Sequence, residues 1–178
     1  RPRADAAAAV HQQVLNLEEK RRIALDTIEP LVALPDSMVN NSVKVGEVTG
    51  EKINQAFIGS CANGTLDDFA VAAKVLAGRR VAPGVRLIVT PGSQAIYRDA
   101  LAAGYVATLS EAGAVVTNAP CGACVGGHMG VLGPGEVCIT ASTRNFKGRM
   151  GDASARIYMA SPATVAASAS PAASPAPP

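Results

Sequence analysis

The chain has 178 residues, 48% of them hydrophobic and 17% charged, with no Trp and a formal net charge of +2. That length fits one domain with enough core to need no disulfide staples, and so small a charge gives no footing for nucleic acid as a partner. No apolar run reaches the ~20 residues of a membrane helix, and the first apolar stretch, Ala6 to Val10, is too short for a signal peptide.

Along the chain, Arg1-Pro2-Arg3 is not a natural translation start and reads as the edge of a processed or trimmed piece of something longer. Residues 5–25 place Val10, Val14 and Leu17 at helical spacing, predicting a modestly amphipathic helix with His11 on its surface. Thr27 to Pro35 carries two prolines and reads as an extended or edge segment, and residues 36–50 read as loop. Residues 1–50 are therefore a helix and extended lead-in, and an α/β domain is expected over 51–167.

Within that domain Ala56 to Ser60 reads as a buried strand. Thr65-Leu66-Asp67-Asp68 fits a capping box that opens a helix through Phe69, Val71, Ala72, Val75 and Leu76 to Gly78. Val85 to Thr90 is a second strand, and Ser93 caps a helix whose Ala95, Ile96, Ala100 and Leu101 are expected to share a face, ending at Gly104. A short helix from Tyr105 to Ala112 stops at Gly113, followed by strands at Ala114 to Thr117 and Val137 to Ala141, with Cys138 a buried thiol mid-strand. Strands separated by helices of this length imply βαβ units: an α/β fold, a single doubly wound domain with a mostly parallel sheet. From Ser168 the Ser/Ala/Pro repetition predicts a disordered tail over 168–178.

The chemistry concentrates at three cysteines. Cys61 lies in Gly59-Ser60-Cys61-Ala62-Asn63-Gly64, and Cys121 and Cys124 form Cys121-Gly122-Ala123-Cys124, each set following a strand-like run. Loops at the carboxyl ends of strands gather on one edge of an open sheet, so these cysteines can meet. Four cysteines in a chain of this size, three of them beside glycines in loops, suit a reducing compartment, a bacterial cytoplasm or an organelle matrix. Three chemistries fit: a redox Cys-x-x-Cys, zinc on Cys61, Cys121, Cys124 and His128, or an iron–sulfur cluster with three protein ligands. Gly126-Gly127 makes a poor first helical turn, against the redox pair. The many glycines, which let backbone amides approach cluster sulfides, weigh towards iron–sulfur. The second constellation, Thr143-Arg144-Asn145-Phe146-Lys147-Gly148-Arg149, follows the last predicted strand and so belongs on the same edge. Arg144 and Arg149 offer planar forks matched to carboxylates; as an alternative such a run is simply a solvated basic loop.

Gly59-Ser60-Cys61-x-Asn63-Gly64, Cys121-Gly122-x-Cys124 with Gly126-Gly127-His128, and Arg144-Asn145-Phe146-x-Gly148-Arg149 resemble the aconitase superfamily, most closely its 3-isopropylmalate dehydratase and homoaconitase large subunits. The likeness runs from about Leu25 to about Ala167, with support from Val81-Ala82-Pro83-Gly84-Val85-Arg86 and Ala160-Ser161-Pro162-Ala163. The resemblance implies the family's cluster-domain fold and a [4Fe–4S] cluster held by Cys61, Cys121 and Cys124. It places Asn63 beside the cluster, and Arg144 and Arg149 on the carboxylates of a small hydroxy-polycarboxylate substrate. His128 matches a family position without an assigned role.

Two substitutions depart from the family pattern: Ala62 stands where Thr is usual, and Thr143 where many members have Asn. Family enzymes also have further large-subunit domains and a swivelling domain or small subunit that brings the catalytic serine base, so no catalytic base is expected within this chain. Two functions follow. One is a fragment or split subunit of a hydro-lyase, inactive without its missing domains; the retained cysteines and arginines favour it. The alternative is a non-catalytic aconitase-like domain with a structural or iron-sensing role in a larger assembly, favoured by the substitutions and the foreign tail.

Overall fold

Short continuous apolar runs, separated by glycines and prolines, lay down the central strands of the sheet. The computed structural model describes residues 28–36 and 41–171. Among these, seven strands form one mixed sheet: β1 Leu31–Ala33, β2 Ser42–Lys44, β3 Gln55–Gly59, β4 Arg86–Thr90, β5 Val115–Val116, β6 Val137–Thr140 and β7 Arg156–Met159. Their spatial order is β2-β1-β7-β6-β3-β4-β5. All pairings from β7 to β5 are parallel, while β1 runs antiparallel to both β7 and β2. The chain winds from β3 out to β4 and β5, then crosses to β6 on the other side of β3 and on to β7. The expected α/β fold, wound both ways from one strand and mostly parallel, is what forms.

The helices among the described residues are α1 Ser60–Asn63, α2 Leu66–Leu76, α3 Gln94–Ala102, α4 Tyr105–Glu111 and α5 Pro162–Ala169. Strand side chains alternate between two cores, as the period of two requires. Ala56, Ile58, Leu87, Val89 and Ile139 face the helical layer and meet Phe69, Leu76, Leu109 and Val165. Phe57, Ile88, Cys138 and Ile157 face the other way. There the cover is loop rather than helix: Ala123, Cys124, Leu132, Met150 and Ala155 close that side. The α2 start is capped as the sequence implies, with Asp68 accepting from the Thr65 amide at 2.9 Å and Thr65 Oγ1 accepting from the Asp68 amide at 3.3 Å.

Four expectations need correcting or extending. Residues 36–50 are not all loop: β2 and a 3-10 turn at Val45–Val48 lie there, and β1 and β2 extend the sheet, so the lead-in is part of the fold. In α3 only Ala100 is buried, and Leu101 is 54% exposed. This helix packs mainly on α2 and α4, so a narrow stripe of Tyr97 and Ala100 suffices. β7 and α5 carry no mark in the sequence reading; α5 is opened by Ser161 as N-cap with Pro162 at its first position. Finally, α5 runs through Ala169, and Ala169 and Ser170 are buried, so the folded unit passes the boundary drawn at Ser168. The repetitive alanines there are contact surface, small enough to bring the helix close to β3 and α2. The helix predicted over 5–25 and the tail after Pro171 lie outside the described residues.

Candidate functional site

The reversal of winding beside β3 creates a switch point, where open α/β sheets bind ligands beyond the carboxyl ends of their strands. Every residue singled out in the sequence for metal or substrate follows β3, β5 or β6 at that edge.

At the end of β3 the chain turns sharply, with Gly59 at φ +123° and Ser60 at φ +62°. A Cβ on Gly59 would stand 1.9 Å from the Thr90 carbonyl oxygen, so only glycine passes. Ser60 holds a left-handed conformation unusual for a side-chain-bearing residue, and its buried Oγ has no hydrogen-bond partner. The turn leaves Cys61 exposed in α1. Two residues on, the Asn63 Nδ2 donates to the Ala141 carbonyl and ties α1 to the segment after β6.

After β5 the chain forms a single 3-10 turn, Gly122–Val125, closed by Gly126 in the left-handed region. The Cys124 amide donates to the Cys121 carbonyl at 3.1 Å. Cys121 is exposed and Cys124 buried. No long helix follows, which removes the helix N-terminus that a redox Cys-x-x-Cys relies on. Thr90, at the end of β4, is the common neighbour: it crowds Gly59 through its backbone, and its Oγ1 lies 3.9 Å from a Cβ on Gly122. That hydroxyl is fixed by a buried 2.8 Å bond to Thr117 Oγ1. The Thr90–Thr117 pair holds β4 and β5 together beneath both cysteine segments, and the sequence reading had no signal for it.

The arginine loop after β6 divides into three behaviours. Arg144 is exposed and its Nη1 donates only to the adjacent Thr143 carbonyl, at 2.7 Å. Asn145 is fully buried and its Nδ2 donates to Leu34 O at 2.7 Å and Ile157 O at 3.1 Å, bolting the loop to β1 and β7. Arg149 is half-buried; its Nη2 lies 3.9 Å from Cys124 Sγ, and its guanidinium carbon is 5.7 Å from the centroid of Phe146. His128 is exposed in the loop beyond Gly126.

All four cysteines are free thiols. Cys138 is separate from the edge: burial pushes its thiol up to about 12, the behaviour of an inert core residue. Among the described residues no three His, Cys, Asp or Glu side chains gather closely enough to hold one metal ion. The zinc tetrad of Cys61, Cys121, Cys124 and His128 is therefore not assembled. A polynuclear cluster makes a different demand, since each thiolate binds its own iron and the sulfurs need not converge on one point. Three free thiols with no mutual disulfide, beside the unpartnered buried Ser60 Oγ and Arg149 Nε, are a donor set that fits such a group. A cleft of about 570 Å³ also opens between Val32, Val48, Ile53, Arg79, Tyr158 and Thr164, and none of the predicted site residues lines it.

A model of the aconitase family (aconitate hydratase) matches residues 5–172. The 3-isopropylmalate dehydratase large subunit of Mycolicibacterium smegmatis is 65% identical over 149 residues, which is 84% of this chain and 35% of that protein. The Pyrobaculum aerophilum large subunit is 53% identical over 154 residues, covering 86% of this chain and 36% of that one. The Wolinella succinogenes large subunit is 46% identical over 165 residues, covering 92% and 37%. The chain thus spans about a third of the length of these curated relatives. With a family model matched along nearly its whole length, this chain belongs to the aconitase family.

Proposed function

We propose that this chain is the cluster-bearing part of a hydro-lyase of the 3-isopropylmalate dehydratase type. It would act on a small hydroxy-polycarboxylate by dehydration and rehydration, together with further large-subunit domains and a swivelling small subunit. The observation that carries this reading is that three free thiols and an arginine loop all follow strands that end at one edge of the sheet, in a chain whose curated relatives are named as such large subunits.

In this reading Cys61, Cys121 and Cys124 hold a [4Fe–4S] cluster. When bound, such a group supplies a Lewis-acidic iron with an open coordination position for a hydroxyl and a carboxylate. The chain's own residues supply the surroundings. The Gly59–Ser60 turn presents Cys61 outward, and Asn63 fixes the residues behind it through Ala141. The arginine loop carries Arg144 and Arg149, whose planar guanidinium forks would take the carboxylates of the substrate. The proton abstracted from the substrate carbon goes to a base on the swivelling partner, which closes the site against water.

Anaerobic purification followed by iron, sulfide and zinc analysis tests the first half. About four irons and matching sulfide per chain, with broad visible absorption, are expected. Metal-free or zinc-loaded protein from that preparation overturns the cluster reading. Dehydratase assay with the companion domains and small subunit added tests the second half, and a fully loaded chain that gives no turnover in that mixture favours a structural or sensing role.

A further inference from the structure

We infer that Thr90 and Thr117 are positioning residues: their paired hydroxyls set the spacing between the Cys61 segment and the Cys121–Cys124 segment, and so whether one group can reach all three sulfurs. This rests on the cluster reading above and deepens it, because cysteine loops that follow different strands must be held at one separation before a single polynuclear group can join them. The proton count gives the pair a direction. Each threonine hydroxyl has one proton to donate. Thr117 Oγ1 donates to the Asn118 carbonyl at 2.8 Å, so the 2.8 Å bond between the two hydroxyls is donated by Thr90. The result is a one-way chain from Thr90 through Thr117 to Asn118, three residues ahead of Cys121. Both threonines are buried, so water does not replace a lost partner.

Thr90 meets the other segment through its main chain. Its carbonyl oxygen would stand 1.9 Å from a Cβ on Gly59 and 2.5 Å from one on Gly64, the two glycines that bracket Cys61. The Gly92 amide, two residues on, donates to the Gly64 carbonyl at 2.8 Å and closes the Cys61 turn against the loop after β4. On its side-chain face, Thr90 Oγ1 would lie 3.9 Å from a Cβ on Gly122, the residue after Cys121. Thr117 is tied back to β4 by its own amide, which donates to the Val89 carbonyl at 2.9 Å. The backbone of Thr90 thus packs on the Cys61 turn while its hydroxyl steers the approach to Cys121. Valine would fill nearly the same space but could not carry the hydroxyl chain.

The test compares Thr90→Val, Thr117→Val, the double variant and Thr90→Ser in the full chain, loaded anaerobically with iron and sulfide and each checked for wild-type circular dichroism. Thr90→Ser gives up the methyl group but keeps the hydroxyl. Ile157→Val, a buried loss in β7 away from both segments, serves as the control for stability alone. The readouts are the rate of iron loss to a chelator and the electron paramagnetic resonance spectrum of the reduced centre.

Thr90→Val and Thr117→Val are expected to lose iron about tenfold faster than wild type, in the range of other groups that orient metal ligands, and to show an altered spectrum. The double variant should be no worse than Thr117→Val, because both residues act through one chain. Thr90→Ser and Ile157→Val should keep the wild-type rate and spectrum. If the two valine variants match wild type in both readouts, the positioning role is wrong while the cluster reading stands. If Thr90→Ser or Ile157→Val loses iron as fast as Thr90→Val, the effect is one of stability and the positioning role is equally wrong. Losses that multiply in the double variant show two separate effects and overturn the chain. A wild-type chain that takes up no iron sinks this inference and the cluster reading together, a result distinct from the others.

Discussion

Replacing Gly59 by Ala strikes the hinge between the sheet and Cys61, and its cost can be worked from the backbone. Two separate penalties meet there. Gly59 sits at φ +123°, a conformation that costs an L side chain ~1–3 kcal/mol. The new Cβ would also stand 1.9 Å from Thr90 O and 2.9 Å from Thr90 N, backbone atoms with no rotamer to yield. Restoring ordinary contact requires the end of β3 to move away from β4 by more than 1 Å, which opens the last rung of the Gly59–Thr90 pair. One lost ladder bond is worth ~1 kcal/mol, and leaving its buried groups unpaired adds ~1–3 kcal/mol. The total is about 3–7 kcal/mol, a large share of the ~5–15 kcal/mol that holds a domain of this size.

Gly50→Ala is the matched control: its φ is +95°, but nothing lies within 4 Å of the added carbon, so it carries conformational strain alone. Urea denaturation followed by circular dichroism gives both differences from midpoint and slope. Gly59→Ala should exceed Gly50→Ala by about 2 kcal/mol or more. Equal losses would show that β4 yields freely at this point and that the tight turn before Cys61 is not sterically enforced.

Other outcomes follow from the same coordinates. Cys138 is protonated in the fold with its thiol raised to about 12 from an ordinary 9.0, so stability is intact below pH 9 and falls as pH rises through that window. The fall approaches ~1.4 kcal/mol per pH unit and should vanish in Cys138→Ala when alkaline unfolding curves are compared. The Glu136 carboxyl is held below its usual range, first by the 2.8 Å bond from Arg86 and then by the Gly133 amide. Its contribution is present above the ordinary carboxylate value and lost on acidification. Because the pair is partly exposed, Glu136→Gln should flatten the acid limb by no more than ~1 kcal/mol. Asn145→Asp replaces a donor facing two carbonyls with an acceptor and should cost ~3 kcal/mol or more in thermal or urea unfolding, whereas Asn145→Ala should cost ~2 kcal/mol. With limiting iodoacetamide on the native apoprotein, mass spectrometry should find Cys61 and Cys121 labelled well before Cys138, which reacts only on unfolding.

The central layer was legible because its signals are local. Ala56 to Ile58 and Leu87 to Val89 are unbroken apolar runs, and the Thr65–Asp68 cap is written within four residues. β2 was not legible, because an edge strand of three largely exposed residues carries no apolar alternation. α5 was hidden by composition: Ala-rich sequence reads as low complexity until Ala166 and Ala169 are seen buried against a sheet. At the site, residue types and spacing pointed to Cys61, Cys121, Cys124, Arg144 and Arg149 and to a shared edge. They could not separate Arg144 from Arg149, since that distinction lies in which side chain meets a sulfur 25 positions away. Nor could they foresee Asn145 as a bolt, whose partner Leu34 is 111 residues distant.

That bolt makes the arginine loop answerable to the far side of the sheet. One amide group, sitting next to Arg144 in the chain, grips the carbonyl that ends β1, while its other bond grips β7. β1 itself is a short antiparallel addition, joined to β7 by a single described register pair, Ala33 with Met159. A tug that peels β1 from the sheet must first break the Leu34–Asn145 bond, and doing so unclamps the backbone on which Arg144 rides. The strand that looks most expendable in the fold is thus a tension line to Arg144, and if that arginine takes the substrate as proposed, loosening the strand would be felt as poorer ligand capture before it was felt as unfolding.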